Sequence, residues 1–180
     1  MDVTDLIALQ KRDITACFTG HRVIPSASQS RLNELMDHLL LKVYAMGYRI
    51  FLCGGALGFD TLAAFGVLRL KARFSDVILC MIRPCESQSD RWSAHDQMIY
   101  QKICADADLV YTLSSVYYEG CMLTRNKFMI DHSSLCIAWM LRSRGGTAYT
   151  VQYALESKIE IINLAMPRYQ RLRMASGAKK

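Results

Sequence analysis

Three glycine-bearing stretches of this 180-residue chain carry residue types suited to holding an anion: Thr19-Gly20-His21-Arg22, Gly54-Gly55-Ala56-Leu57-Gly58-Phe59-Asp60 and Arg144-Gly145-Gly146-Thr147. Glycine accepts positive φ and lets the backbone approach a ligand closely, and where a helix follows such a turn its first N–H groups have no partner within the helix. Together these make a phosphate-binding layout. Arg22 adds a cation, and His21 beside it reads equally as a ligand group or as a satisfied loop residue. Asp60 adds a carboxylate that either complements the helix start or touches a ribose. Neither the GxGxxG fingerprint nor a Gly-Lys-Ser/Thr loop is present, and there is no GxSxG, so a dinucleotide fingerprint, a Walker loop and a hydrolase triad are all absent from the pattern. His21, His38, His95 and His132 show no zinc-type spacing with the seven cysteines, and no CxxC pair exists. Cys17, Cys80 and Cys136 sit inside apolar runs, where a thiol behaves as a small hydrophobe. Reduced thiols and no metal are expected.

These loops need elements to position them. Short apolar runs at Ile14–Phe18, Tyr48–Cys53, Val77–Ile82, Leu109–Thr112, Leu135–Met140 and Ile159–Leu164 alternate with longer amphipathic stretches. Most runs are apolar throughout, as expected of strands buried on both faces of a parallel sheet. Apolar residues at 32, 35, 36, 39, 40 and 43 have helical spacing, with Ser26, Ser28 and Ser30 offered as N-caps and Gly47 as a left-handed C-terminal stop. Further helices are expected over 61–72, 93–105, 121–131 and 147–157, with Ser93 and Asp96 at capping-box spacing. The expected fold is a Rossmann-like α/β domain, three layers with a mainly parallel sheet of about six strands. It is read as one domain over 1–180, with its core at about 14–164. In such a sheet ligands bind at the carboxyl ends of the strands, where the winding reverses, and all three glycine loops fall at that edge.

Composition agrees with a compact fold. Hydrophobic residues make up 52% and charged residues 21%, which supports a large core and argues against a disordered chain. The net charge of +6 lies almost wholly in 167–180, where Arg168, Arg171, Arg173, Lys179 and Lys180 stand without an acid. A short basic terminus reads as solvated tail, so nucleic acid is not expected as a partner. The chain has no long apolar stretch and no signal-peptide layout at its start, so a cytoplasmic protein with no membrane contact is expected.

The segments CFTGHR, CGGALGFDTLAA, QSDRWS, GCMLTRNKFMIDHSSLCIA and RGGTAYTVQYA, in order over about 14–164, resemble those of the YpsA-like proteins of the SLOG superfamily. That superfamily also holds the LOG phosphoribohydrolases and the DNA-processing protein DprA. The resemblance implies a Rossmann-like domain that binds a nucleotide or nucleotide derivative, of ADP-ribose, NAD or AMP type, with no required cofactor. The LOG motifs MxxRKxxM and PGGxGTxxE are matched in part. Met122, Arg125 and Met129 fit the first, with Asn126 at the lysine position. Gly145 and Gly146 fit the second, whereas Arg144 stands at the proline, Ala148 and Tyr149 at Gly-Thr, and Gln152 at the glutamate. A glutamine cannot act as a carboxylate base, so LOG-type cleavage loses its key group while the anion-binding half remains.

The ligand-binding set expected from residues and resemblance together is Gly20, His21, Arg22, Gly54, Gly55, Gly58, Asp60, Arg125, Asn126, Gly145, Gly146 and Thr147. A sensing or binding module leads. A hydrolase cleaving an N-glycosidic or phosphoester bond through Arg125, Asp60 and Asp131 is the alternative, and a ligand-free interaction protein stands third. Trp92, in a polar loop, is a candidate stacking platform, and Trp139 reads as core. Ten methionines and nine tyrosines, with the resemblance, suggest a homodimer.

Overall fold

The computed structural model describes residues 11–165 and 170–172. After a 3-10 turn at Lys11–Ile14, strands and helices alternate: β1 (Thr15–Gly20), α1 (Ser26–Ala45), β2 (Ile50–Cys53), α2 (Phe59–Lys71), β3 (Ile78–Arg83), α3 (Ala94–Asp106), β4 (Leu109–Thr112), α4 (Cys121–Asp131), β5 (Leu135–Trp139), α5 (Gly146–Glu156), β6 (Glu160–Asn163) and β7 (Gln170–Leu172). Among the described residues the sheet order is β4-β3-β2-β1-β5-β6-β7. Six strands run parallel, and β7 pairs antiparallel with β6 at one edge. The expected Rossmann-like three-layer architecture is therefore present, with one strand added. That strand corrects the reading of 167–180 as a solvated tail at Gln170–Leu172, because the open edge of β6 offers unpaired backbone groups. The rest of the tail lies outside the described residues.

Alternation along the strands splits the core into two layers. Phe18, Phe51, Leu79, Met81 and Ile137 meet the apolar faces of α1, α2 and α3, with Phe18 and Phe51 stacked at 6.2 Å. Cys17, Leu52, Ile82 and Cys136 on the opposite face meet Met129 and Ile130 of α4 and Val151 and Ala154 of α5. β1, β2 and β5 are inaccessible almost throughout, as uniformly apolar runs require. β4 departs from that expectation: it is an edge strand, and Val110 is 37% exposed.

Helix starts follow local chemistry, with one correction. Ser93 caps α3 by accepting the Asp96 N–H at 3.1 Å, and its hydroxyl donates to the Asp96 carboxylate at 2.7 Å. No serine caps α1. Pro25 occupies the N-cap position and its carbonyl accepts the Ser28 N–H at 2.8 Å. Proline fixes φ near the value that a helix entry needs, so the helix starts at Ser26 without a side-chain acceptor. Gly47, at φ +100°, ends α1 as expected. All seven cysteines lie among the described residues and stand as free thiols.

Candidate functional site

The winding reverses between β1 and β5. From β1 the chain steps outward to β4 with α1, α2 and α3 on one face, then crosses on the other face through α4 and lays β5 on the free side of β1. Loops that leave two adjacent parallel strands in opposite directions open a crevice at their carboxyl ends. A cavity of about 330 Å³ occupies this place. Thr19, Gly20, His21 and Arg22 enter it from β1, Ala56 and Asp60 from the β2–α2 turn, Met122, Arg125 and Asn126 from α4, and Gly146 and Thr147 from the start of α5.

His21 clips the two loops together. Its Nε2 accepts the Leu141 N–H at 3.0 Å, its carbonyl accepts the Phe59 N–H at 3.2 Å, and its ring stands edge-on to Trp139. Accepting at Nε2 requires the neutral imidazole, and burial, then the nearby Arg142, hold its pKa below the ordinary 6.5. Asp60 is buried in the first turn of α2, where its carboxylate accepts the Ala56 N–H at 3.1 Å and closes the glycine turn on itself. Burial pushes its pKa up, opposed by Arg125, by that amide bond and by Arg22.

Arg125 is 4% exposed, which is rare for an arginine and obliges it to be bonded. Its Nη1 donates to the Gly54 carbonyl and its Nε to Asn126 Oδ1 at 2.8 Å. Asn126 Nδ2 donates in turn to Thr150 Oγ1 at 2.8 Å, and the Thr150 hydroxyl donates to the Gly146 carbonyl at 2.8 Å. A continuous run of bonds thus ties the β2–α2 turn, through α4, to the first residue of α5. Gln88 completes it from the β3–α3 loop, its Nε2 donating to the same Gly54 carbonyl at 3.0 Å. Nothing in the sequence marked Gln88 as buried, since a polar residue among serines and acids reads as loop.

The expected residues do not all meet. Gly20, His21, Arg22, Asp60, Arg125, Asn126, Gly146 and Thr147 line the cavity, whereas Gly54, Gly55, Gly58 and Gly145 are not on its wall. Packing accounts for three of these. A Cβ at Gly58, at φ +77°, would strike the Arg22 and His21 carbonyls. A Cβ at Gly54 would overlap the Arg125 guanidinium, and one at Gly55, already at φ +65°, would press on Met81 and Tyr100. Gly145, at φ +92°, is the residue before α5. Asp131 ends α4 six residues past Arg125, about 9 Å further along the axis, exposed and accepting from Tyr153 at 2.9 Å. The set Arg125, Asp60 and Asp131 is therefore not assembled. Gln152 also lies away from the cavity, exposed on α5 and bonded to Glu156 at 3.0 Å. Trp139 is core, stacked on Phe59, and Trp92 is half-buried, edge-on to Tyr100. Among the described residues no group of three or more His, Cys, Asp or Glu is placed to hold a metal ion.

A doubly wound sheet with helices on both faces and a cavity at its switch point, one wall of which is a glycine-opened helix start, defines a Rossmann-like α/β domain. Residues 26–165 match the YspA SLOG family, and the chain belongs to it. It is 29% identical over 138 residues to the SPbeta prophage-derived protein YoqJ of Bacillus subtilis, covering 70% of this chain and 79% of that one. A UPF0398 protein of Staphylococcus haemolyticus is 30% identical over 108 residues, covering 59% and 58% respectively, so the chain spans a little over half the length of such relatives. Among solved structures it is similar to DNA processing protein A of Helicobacter pylori (TM-score 0.61, 19% identity, 92% of this chain and 71% of that one). DprA of Streptococcus pneumoniae is similar at TM-score 0.61 and 14% identity, covering 87% and 50%. These two share the fold. The first is described for its single-stranded DNA binding mode, which corrects the expectation that nucleic acid is no partner: a near-neutral domain of this fold is not thereby excluded from it. Among the described residues no helix is long and apolar enough to cross a membrane.

Proposed function

We propose that the chain is a binding module for a phosphorylated nucleotide or nucleotide derivative, held in the cavity between β1 and β5. The observation that carries this reading is the cavity wall itself. Two arginines, the exposed Arg22 and the buried Arg125, line a cavity of about 330 Å³ together with Gly146 and Thr147 at the start of α5. Helix-start amides and guanidinium groups both favour an anion, and a phosphate offers the acceptors that both need. Binding is favoured over LOG-type cleavage because Asp60 supplies the carboxylate on the wall, already engaged by Ala56, while Asp131 and Gln152 stand elsewhere.

A thermal-shift panel of AMP, ADP-ribose, NAD and phosphoribosylated bases tests the reading, with a single-stranded oligonucleotide as a further arm. A ligand at about 100 times its Kd stabilises by roughly 2.7 kcal/mol, which for this size raises Tm by about 5–10 °C. Arg22→Ala should cut that affinity by about 1–3 kcal/mol. No shift with any small ligand would overturn the proposal. A shift with the oligonucleotide alone would replace it with DNA binding, and multiple turnovers of a bound ligand would replace it with catalysis.

A further inference from the structure

Beside the first cavity, across the wall made by Arg22 and the β2–α2 turn, lies a second of about 590 Å³. Its character differs. Trp92, Ile99 and Tyr100 form one side, Leu62 and Phe65 of α2 another, and Gln29 and Asn33, one turn apart on α1, place two amides among them. Arg22 lines both cavities. We infer that the second cavity receives the heteroaromatic base of a nucleoside phosphate whose anionic end lies in the first, with the base against Trp92.

Three features carry this inference, which rests on the binding function proposed above. Flat apolar walls with a few polar groups suit an aromatic ring that needs stacking on its faces and hydrogen bonds at its edge. Side-chain amides supply a donor and an acceptor together, the complement of a base edge. Trp92 is also held in place. Its indole stands edge-on to Tyr100 with centroids 5.3 Å apart, and its backbone N–H donates to the Ser89 carbonyl at 2.9 Å, which closes the loop that carries the ring. Four residues earlier the same loop is tied by Gln88 to the Gly54 carbonyl, which Arg125 of the first cavity also grips. The indole is therefore positioned before any ligand arrives, and its position is coupled to the anion-binding cavity.

The test compares AMP, GMP, CMP, UMP and ADP-ribose with ribose 5-phosphate, which has the anion but no base, by calorimetric titration. The inference requires the tightest of the five to bind better than ribose 5-phosphate. Trp92→Ala should weaken that nucleotide roughly 5- to 150-fold, the usual range for loss of a base-stacking aromatic. Ribose 5-phosphate should bind the variant as it binds the parent. Trp92→Phe, which keeps a ring, should retain most of the nucleotide affinity while abolishing the ligand-induced change in tryptophan fluorescence; the other tryptophan, Trp139, is buried in β5. Equal affinity for nucleotides and ribose 5-phosphate, or a Trp92→Ala effect of the same size on both, would overturn the inference and leave the binding function standing. Failure of all six compounds to bind would remove both.

Discussion

Replacing Gly54 by alanine tests the internal logic of the site through stability alone. Gly54 is not at positive φ, so an alanine backbone is acceptable there and the effect must come from the methyl group. That methyl would occupy the space of the Arg125 guanidinium. Ordinary contact would need the guanidinium to retreat by roughly 1 Å or more, and its anchors are the Gly54 carbonyl and Asn126 Oδ1. The bond to Gly54 has to break, while the carbonyl keeps Gln88. A hydrogen bond from a buried charged group contributes about 1.5–3 kcal/mol, so Gly54→Ala should lower Tm by about 3–12 °C for a domain of this size. Thermal unfolding followed by circular dichroism measures it, and a double-mutant cycle with Arg125→Ala isolates the cause. In the Arg125→Ala background Gly54→Ala should cost little, because the space is then empty. Equal costs in both backgrounds would refute the reasoning, as would a single-variant Tm within 1 °C of the parent.

Other outcomes follow from the same geometry. Gly58→Ala should be far more damaging than Gly120→Ala: both residues have positive φ, but a Cβ at Gly58 strikes the backbone carbonyls of Arg22 and His21, which cannot rotate away, whereas Gly120 has open space. Comparable melting temperatures for the two would contradict this. His21 titrates with a folded pKa below 6.5, so the native state binds fewer protons than the unfolded chain, and stability that is complete above pH 6.5 is lost as pH falls through the lowered value. His21→Gln should flatten that part of the Tm–pH profile, and an unchanged slope would assign it elsewhere. Gln152→Glu should release no base from any nucleotide, because position 152 is off the cavity, and should cost only a few tenths of a kcal/mol from repulsion with Glu156 one turn on. Product detected by chromatography after this change would place residue 152 at the site after all.

The order of elements, the parallel sheet and the edge at which the glycine loops gather were legible in the sequence because they depend on local periodicity. Continuous apolar runs read as covered strands and the helical periods of the intervening stretches as helices, so β1, β2, β3 and β5 and helices α1 to α5 stand within a few residues of expectation. The capping box of Ser93 was equally local, since both partners lie three residues apart. Other properties depended on what the chain brings near from far away. β4 looks as apolar as its neighbours and is exposed only because the winding leaves it at the edge. Gly54 and Gly55 look like ligand-binding glycines and are instead required by Arg125, 71 residues away, and by Tyr100. Gln152 and Asp131 fit motif positions, yet helix phase and helix length carry them away from the cavity. Gln88, unremarkable in its loop, became a buried anchor of the site. Spacing along a chain determines which face a residue takes within its own element; what that face meets is decided when elements distant in sequence pack, and here that packing selects which polar groups surround the cavity.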